Sequence, residues 1–189
     1  MNLTAVLFVG GESKRMGRDK AMVEVHGEFL WSRQLRLLRG LNPDQIVLSC
    51  AQKPVWCPDE VVAISDNVLA QGPLGGLTTV LAQVKTSHLL ALAIDLPRMN
   101  QAVLHELWTR VKPGSGVVPT IDDSFEPLCA VYPKEAAHVA RETFDSGERS
   151  MQRVIRRLVQ ANLVSSWPVP PELVPAFLNA NSPDDLTQL

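Results

Sequence analysis

At 189 residues, 46% hydrophobic and 20% charged, the chain is long enough for a single domain over residues 1–189 with a full core and no need of staples. A formal net charge of −2 excludes the broad basic face of a nucleic-acid binder, and no run approaches the ~18 apolar residues of a membrane span. Cys50, Cys57 and Cys129 form no C-x-x-C pair and are odd in number, which excludes a disulfide framework; with no basic leader ahead of Leu3, a cytoplasmic protein with buried free thiols is expected.

The first predicted element is an apolar run, Leu3 to Val9, of the kind that fills a buried strand. It ends at Gly10-Gly11, where the missing Cβ atoms let the chain turn and bring backbone N–H groups against a ligand. From Glu12 to Lys20, four basic side chains (Lys14, Arg15, Arg18, Lys20) face two acidic ones (Glu12, Asp19), so the turn is locally positive on an acidic protein. That combination suggests a held anion, with phosphate the first choice. A helical segment then places Leu30, Leu35, Leu37, Leu38 and Leu41 roughly on one face, and Gln45–Ser49 and Val61–Ile64 are the next strand candidates. Gly72-Pro73-Leu74-Gly75-Gly76 is a second glycine turn, expected to lead into a helix through Leu77, Val80, Leu81 and Val84. The most apolar strand, Leu89 to Ile94, stops at Asp95-Leu96-Pro97.

Asn100 is placed to cap a helix running to Val111, Val117-Val118 opens a strand, and Asp122-Asp123-Ser124 has the chemistry of a solvated turn rather than a metal site. Leu128–Tyr132 is another strand, with Pro133 expected at the first position of a helix. Arg149, Arg153, Arg156 and Arg157 recur at helical spacing and are expected on a solvated face. Ser182, Pro183 and Asp185 fit a short capped helix in the tail. Buried strands alternating with helices imply an α/β fold: a mostly parallel sheet with helices on both faces, whose ligands sit beyond the carboxyl ends of the strands.

Several chemistries can be set aside. No window satisfies the P-loop or the dinucleotide fingerprint, no H-E-x-x-H or G-x-S-x-G occurs, and His26, His88, His105 and His138 are scattered. Asp95 is different. A carboxylate closing the most buried strand is costly unless something cationic sits there, and Mg²⁺, an oxygen-preferring ion that accompanies phosphates, fits that need.

The stretch FVGGESKRMGRDK, Phe8 to Lys20, resembles the signature L-A-G-G-x-S-x-R-M-G-x-D-K of MobA-like nucleotidyltransferases, agreeing at Gly10, Gly11, Ser13, Arg15, Met16, Gly17, Asp19 and Lys20. The resemblance continues through Ser65-Asp66-Asn67, Gly72–Gly76, Asp95-Leu96-Pro97, Glu126-Pro127-Leu128 and Asn179–Leu186, so it spans essentially the whole chain. It implies a Rossmann-like three-layer nucleotidyltransferase fold. It also implies the activity of the family's guanylyltransferases, which join GMP from GTP to the phosphate of molybdopterin and release pyrophosphate.

By the same resemblance, Phe8, Val9, Gly10, Ser49 and Asp66 meet the nucleotide, Gly11 and Arg15 lie along the phosphates, and Lys20 offsets their charge. Asp95 holds Mg²⁺, and Asn179 and Asn181 lie on the pterin side. The implied partners are GTP and molybdopterin, with a molybdenum insertion protein and apo-molybdoenzymes beyond them. Phe8-Val9 stands where Leu-Ala is usual and Ser49 where Asn is frequent, departures that bear on the base contacts. The Pro73-Leu74 pair is similar to the guanylyltransferase form of its loop. Two alternatives stay open: a molybdopterin cytidylyltransferase, and a nucleotide-binding sensor or scaffold without catalysis.

Overall fold

The computed structural model describes residues 1–9, 20–65 and 72–180. Strand β1 (Leu3–Phe8) is buried at every residue, as happens only when both faces of a sheet are covered. A 3-10 turn at Lys20–Met22 leads to a hairpin of β2 (Glu24–Val25) and β3 (Glu28–Phe29), which turns through His26 and Gly27, both at positive φ. Helix α1 (Leu30–Arg39) buries Leu30, Leu35, Leu37 and Leu38, and β4 (Gln45–Cys50) and β5 (Val62–Ser65) follow. Then come α2 (Gly72–Gln83), β6 (His88–Ala93), α3 (Gln101–Thr109), β7 (Gly116–Ile121), β8 (Ser124–Phe125) and β9 (Cys129–Pro133). Helices α4 (Ala136–Asp145) and α5 (Met151–Gln160), strand β10 (Val164–Pro168) and a 3-10 stretch at Pro171–Phe177 complete the described chain.

The main sheet runs in the order β10-β7-β9-β6-β1-β4-β5, with β8 paired to β7. The pairs β1 with β4, β1 with β6, β4 with β5 and β7 with β10 are parallel, while β9 runs against both β6 and β7. The period-2 alternation of strands sorts the side chains into two cores. Ala5, Leu7, Leu90 and Leu92 face α1 and α3, packing on Leu35, Leu38, Leu104 and Leu107. Val6, Phe8, Leu89 and Ala91 face the other way, with Leu74, Leu77 and Val80 of α2, Ala140 of α4, and Ile155 and Leu158 of α5. The result is three layers, helices on both sides of a mostly parallel sheet.

Some boundaries differ from expectation. The segment Gly72–Gly76 is not a turn before α2 but its first turn and beyond, with Gly72 entering at φ 69°. Pro133 closes β9 instead of opening a helix, and α4 begins at Ala136. Asn100 does cap α3, its side chain accepting from the Val103 N–H at 3.1 Å. Asp122 and Asp123 form the turn from β7 to β8, both at positive φ and exposed. All three cysteines are buried free thiols. Arg153, Arg156 and Arg157 lie on the exposed side of α5, and Arg149, just before it, covers the ring of Phe144. Among the described residues, no helix is long and apolar enough to cross a membrane. The expected tail helix at Ser182–Asp185 lies outside the described residues.

Candidate active site

The carboxyl ends of β1, β4 and β6 lie level with one another. Phe8 is in register with Ser49 of β4 on one side and Ala93 of β6 on the other. Backbone bonds continue this alignment past the strand ends: the Val9 N–H donates to the Ser49 carbonyl at 3.1 Å, and the Ile94 N–H to the Phe8 carbonyl at 3.0 Å. Helix α2 closes in from the next layer through Gly76. A Cβ there would lie 3.2 Å from Ser49 Oγ and 3.3 Å from the Phe8 ring, so only a glycine lets the helix sit against both residues without displacing them. Phe8 and Ser49 are buried and Val9 is half-buried at the rim of this surface.

Lys20 and Asp95 meet at the same end of the sheet. Lys20 Nζ lies 3.5 Å from Asp95 Oδ2, with the side chains 20% and 28% exposed. Both are therefore reachable from solvent, in surroundings that screen charge less than open water does. Lys20 is placed by its 3-10 turn, whose carbonyl at Lys20 accepts from the Val23 N–H at 3.1 Å.

Asp95 is held by its backbone neighbours on several sides. Gln34, fully buried on α1, donates from Nε2 to the Leu96 carbonyl at 2.7 Å. Arg33 donates to the carbonyls of Pro97 at 2.9 Å and Met99 at 3.0 Å. The Asp95 carbonyl itself accepts from the Ala180 N–H at 2.9 Å, which draws Asn179 to this end of the molecule. A turn that carries a charged side chain is thus fixed by α1 on one side and the late chain on the other, the support a preorganised site needs.

A second carboxylate belongs to this region, and the residue pattern alone assigned it no role. Glu126 follows β8 and is half-buried; its carboxyl is held above the usual range, first by desolvation and then by repulsion from Asp95. The Glu126-Pro127-Leu128 segment flagged it by resemblance, but only folding brings it near Asp95. Gln34 and Arg33 had no signal, being polar residues on a helix whose role depends on a turn far along the chain.

Of the expected site residues, Lys20, Asp95, Phe8, Val9 and Ser49 gather at one end of the sheet, and Asn179 is adjacent through Ala180. Gly10, Gly11, Arg15, Asp66 and Asn181 lie outside the described residues.

The chain is similar to known proteins. A family model described as the MobA-like NTP transferase domain matches residues 5–162. A probable molybdenum cofactor guanylyltransferase of Opitutus terrae is 34% identical over 186 residues, covering 97% of this chain and 92% of that one. A molybdenum cofactor guanylyltransferase of Pseudomonas fluorescens is 33% identical over 187 residues, covering 96% and 90%.

Among solved structures, molybdopterin-guanine dinucleotide biosynthesis protein A from Archaeoglobus fulgidus superposes with a TM-score of 0.74 at 24% identity, covering 98% of this chain and 95% of that one. The 2-C-methyl-D-erythritol 4-phosphate cytidylyltransferase of Thermus thermophilus superposes at 0.71 with 12% identity, covering 100% and 97%. These two likenesses establish the Rossmann-like nucleotidyltransferase fold, and the family match makes the chain a nucleotidyltransferase. It belongs to the MobA-like NTP transferase family.

Proposed function

We propose that the protein transfers GMP from GTP to the terminal phosphate of molybdopterin, forming the guanine dinucleotide and releasing pyrophosphate. The observation that carries this is the Lys20–Asp95 pair at the carboxyl ends of β1 and β6, where an α/β sheet binds its ligand. Nearly end-to-end relatives named molybdenum cofactor guanylyltransferase support the choice of donor and acceptor.

Each residue has a role in that reading. Phe8, Val9, Gly10, Ser49 and Asp66 form the nucleoside side of the cleft, and Gly76 sets how closely α2 approaches Phe8 and Ser49. Gly11 and Arg15 run along the triphosphate. Lys20 neutralises charge that builds on the phosphates, and Asn179 and Asn181 orient the pterin. The donor set is right for a hard divalent ion: Asp95 offers carboxylate oxygens, and Mg²⁺ is held by one or two carboxylates together with substrate phosphates. When bound there, Mg²⁺ supplies Lewis-acid polarisation of the phosphate oxygens.

The acceptor phosphate needs no base to activate it, since its second pKa of about 6 leaves it largely dianionic at neutral pH. One of its oxygens attacks the α-phosphorus of GTP in line. The bond from that phosphorus to the α,β-bridging oxygen breaks, and its electron pair leaves with pyrophosphate. Two anions must approach, so the protein's task is alignment and charge neutralisation more than covalent chemistry. The dinucleotide then passes to apo-molybdoenzymes, with a molybdenum insertion protein acting on the same pterin.

The test offers GTP, CTP and ATP separately with molybdopterin and Mg²⁺ and identifies the product by mass. The guanine dinucleotide is expected in clear excess. A product carrying only CMP would replace the donor assignment with cytidylyl transfer.

A further inference from the structure

Glu126 is an expensive residue where it stands. Its side chain is half-buried on a segment that the backbone bond from Ala93 to Leu128 ties to the strand end carrying Asp95, and among the described residues no hydrogen bond or ion pair engages its carboxylate. Desolvation, and then the nearby Asp95 carboxylate, disfavour its ionised form.

The backbone around it is held from every side nevertheless. Gln152 of α5 brackets Phe125, accepting from its N–H at 3.0 Å and donating to its carbonyl at 2.8 Å. The Glu126 N–H donates to the Pro119 carbonyl at 2.9 Å, and its carbonyl accepts from the Cys129 N–H at 3.1 Å. The hydroxyl of the fully buried Tyr132 donates to the Pro127 carbonyl at 2.6 Å. The Ala93 N–H, two residues before Asp95, donates to the Leu128 carbonyl at 2.7 Å. Bonds from β6, β7, β9 and α5 therefore fix the placement of a charge that the apo fold does not need. Such a departure from local stability, kept in place by its surroundings, is characteristic of functional positions.

We infer that Glu126 is the second carboxylate of the transfer site, sharing with Asp95 the divalent cation that accompanies the triphosphate. This rests on the transferase reading above and adds a residue to it. The charge balance argues for a cation rather than a base: the triphosphate, the acceptor phosphate and two carboxylates converge on a site whose assigned positive side chains are Lys20, paired with Asp95, and Arg15. The dianionic acceptor gives a base nothing to remove. A shared divalent ion converts the repulsion between Asp95 and Glu126 into joint attraction, which explains why both are placed at one end of the sheet.

The test measures GTP affinity of the full chain by calorimetry, with Mg²⁺ and with EDTA, for the wild type, Glu126→Gln and Asp95→Asn. In the wild type Mg²⁺ tightens GTP binding. Glu126→Gln is expected to cut that metal-dependent gain by ~10-fold or more, the scale on which supporting metal-site residues act. In EDTA it should bind GTP as well as the wild type or better, because a negative charge has gone. The variant should also melt at or above the wild-type temperature without ligand, since a repulsion has been removed.

A Glu126→Gln protein that keeps the wild-type metal dependence overturns the inference while leaving the Asp95 reading intact, provided Asp95→Asn loses it. Weaker GTP binding in Mg²⁺ and EDTA alike, with a lowered melting temperature, assigns Glu126 a structural role and also overturns it. A wild type whose GTP affinity ignores Mg²⁺ defeats the transferase reading of Asp95 and this inference with it. Glu126→Asp, which keeps the charge on a shorter arm, should retain more of the metal dependence than Glu126→Gln.

Discussion

Asp95→Ala is expected to reduce Mg²⁺-dependent transfer by at least ~10³-fold, a loss of about 4 kcal/mol of transition-state stabilisation, within the several kcal/mol a Lewis-acid cation supplies. The fold should persist. The side chain is 28% exposed and belongs to neither packed core, while the turn that carries it is fixed through main-chain carbonyls at Asp95, Leu96, Pro97 and Met99. Alanine keeps those carbonyls and removes only the carboxylate. The check is steady-state turnover beside a thermal melt: near-normal rates would remove Asp95 from the site, and a collapsed melt would recast it as a structural residue.

Lys20→Ala should lower turnover by ~10²–10³-fold, the cost of deleting one preorganised group that meets developing charge. Its melt should move little, because a partly exposed ion pair contributes ~1 kcal/mol or less to stability. The two substitutions differ in how they respond to the metal. Without Lys20 the carboxylate at Asp95 remains, so raising Mg²⁺ should recover part of the lost rate; without Asp95 it should not. Turnover measured across a Mg²⁺ series separates them, and unchanged kinetics in the Lys20 variant would take it out of the mechanism.

Much of this architecture could be read from residue patterns for a simple reason. Strands β1 and β6 are buried at every residue and β4 over its last four, so they appear as largely apolar runs, and the sequence just beyond β1 and β6 carries residues assigned to the site. The direction of β9 could not be read, since the run Cys129–Tyr132 is equally apolar whichever way the strand points; only its pairing with β6 and β7 reverses it. Strand β10 was hidden by composition. Val164-Ser165-Ser166-Trp167-Pro168 has two serines and a proline, which an edge strand tolerates and a pattern search discounts. The proline at 133 carried a helix-start signal, but the ladder with β6 extends to it and delays the helix.

The site divides along the same line. Lys20 and Asp95 stood out because a basic glycine-rich turn and a carboxylate at a buried strand end are each unusual alone. Only the folded chain shows that the two lie 3.5 Å apart. Glu126 and Gly76 were visible only as members of motifs that the family resemblance picked out, with no role of their own, and Gln34 not at all. A glutamate before a proline, a glutamine on a helix and a glycine among glycines are ordinary until packing brings them to Asp95, to the Leu96 carbonyl and to Phe8 with Ser49. Long-range contacts of that kind leave no local mark.

The central claim is that the end of the sheet holding Lys20 and Asp95 is a place of nucleotidyl transfer, and not only of nucleotide binding. It is tested most directly by following pyrophosphate and dinucleotide together as GTP and Mg²⁺ are mixed with the protein, with and without molybdopterin. One pyrophosphate released for each guanine dinucleotide formed, only when molybdopterin is present, is the predicted result. Tight GTP binding without pyrophosphate release, for any nucleotide offered, would contradict it and leave a sensor or scaffold in place of an enzyme.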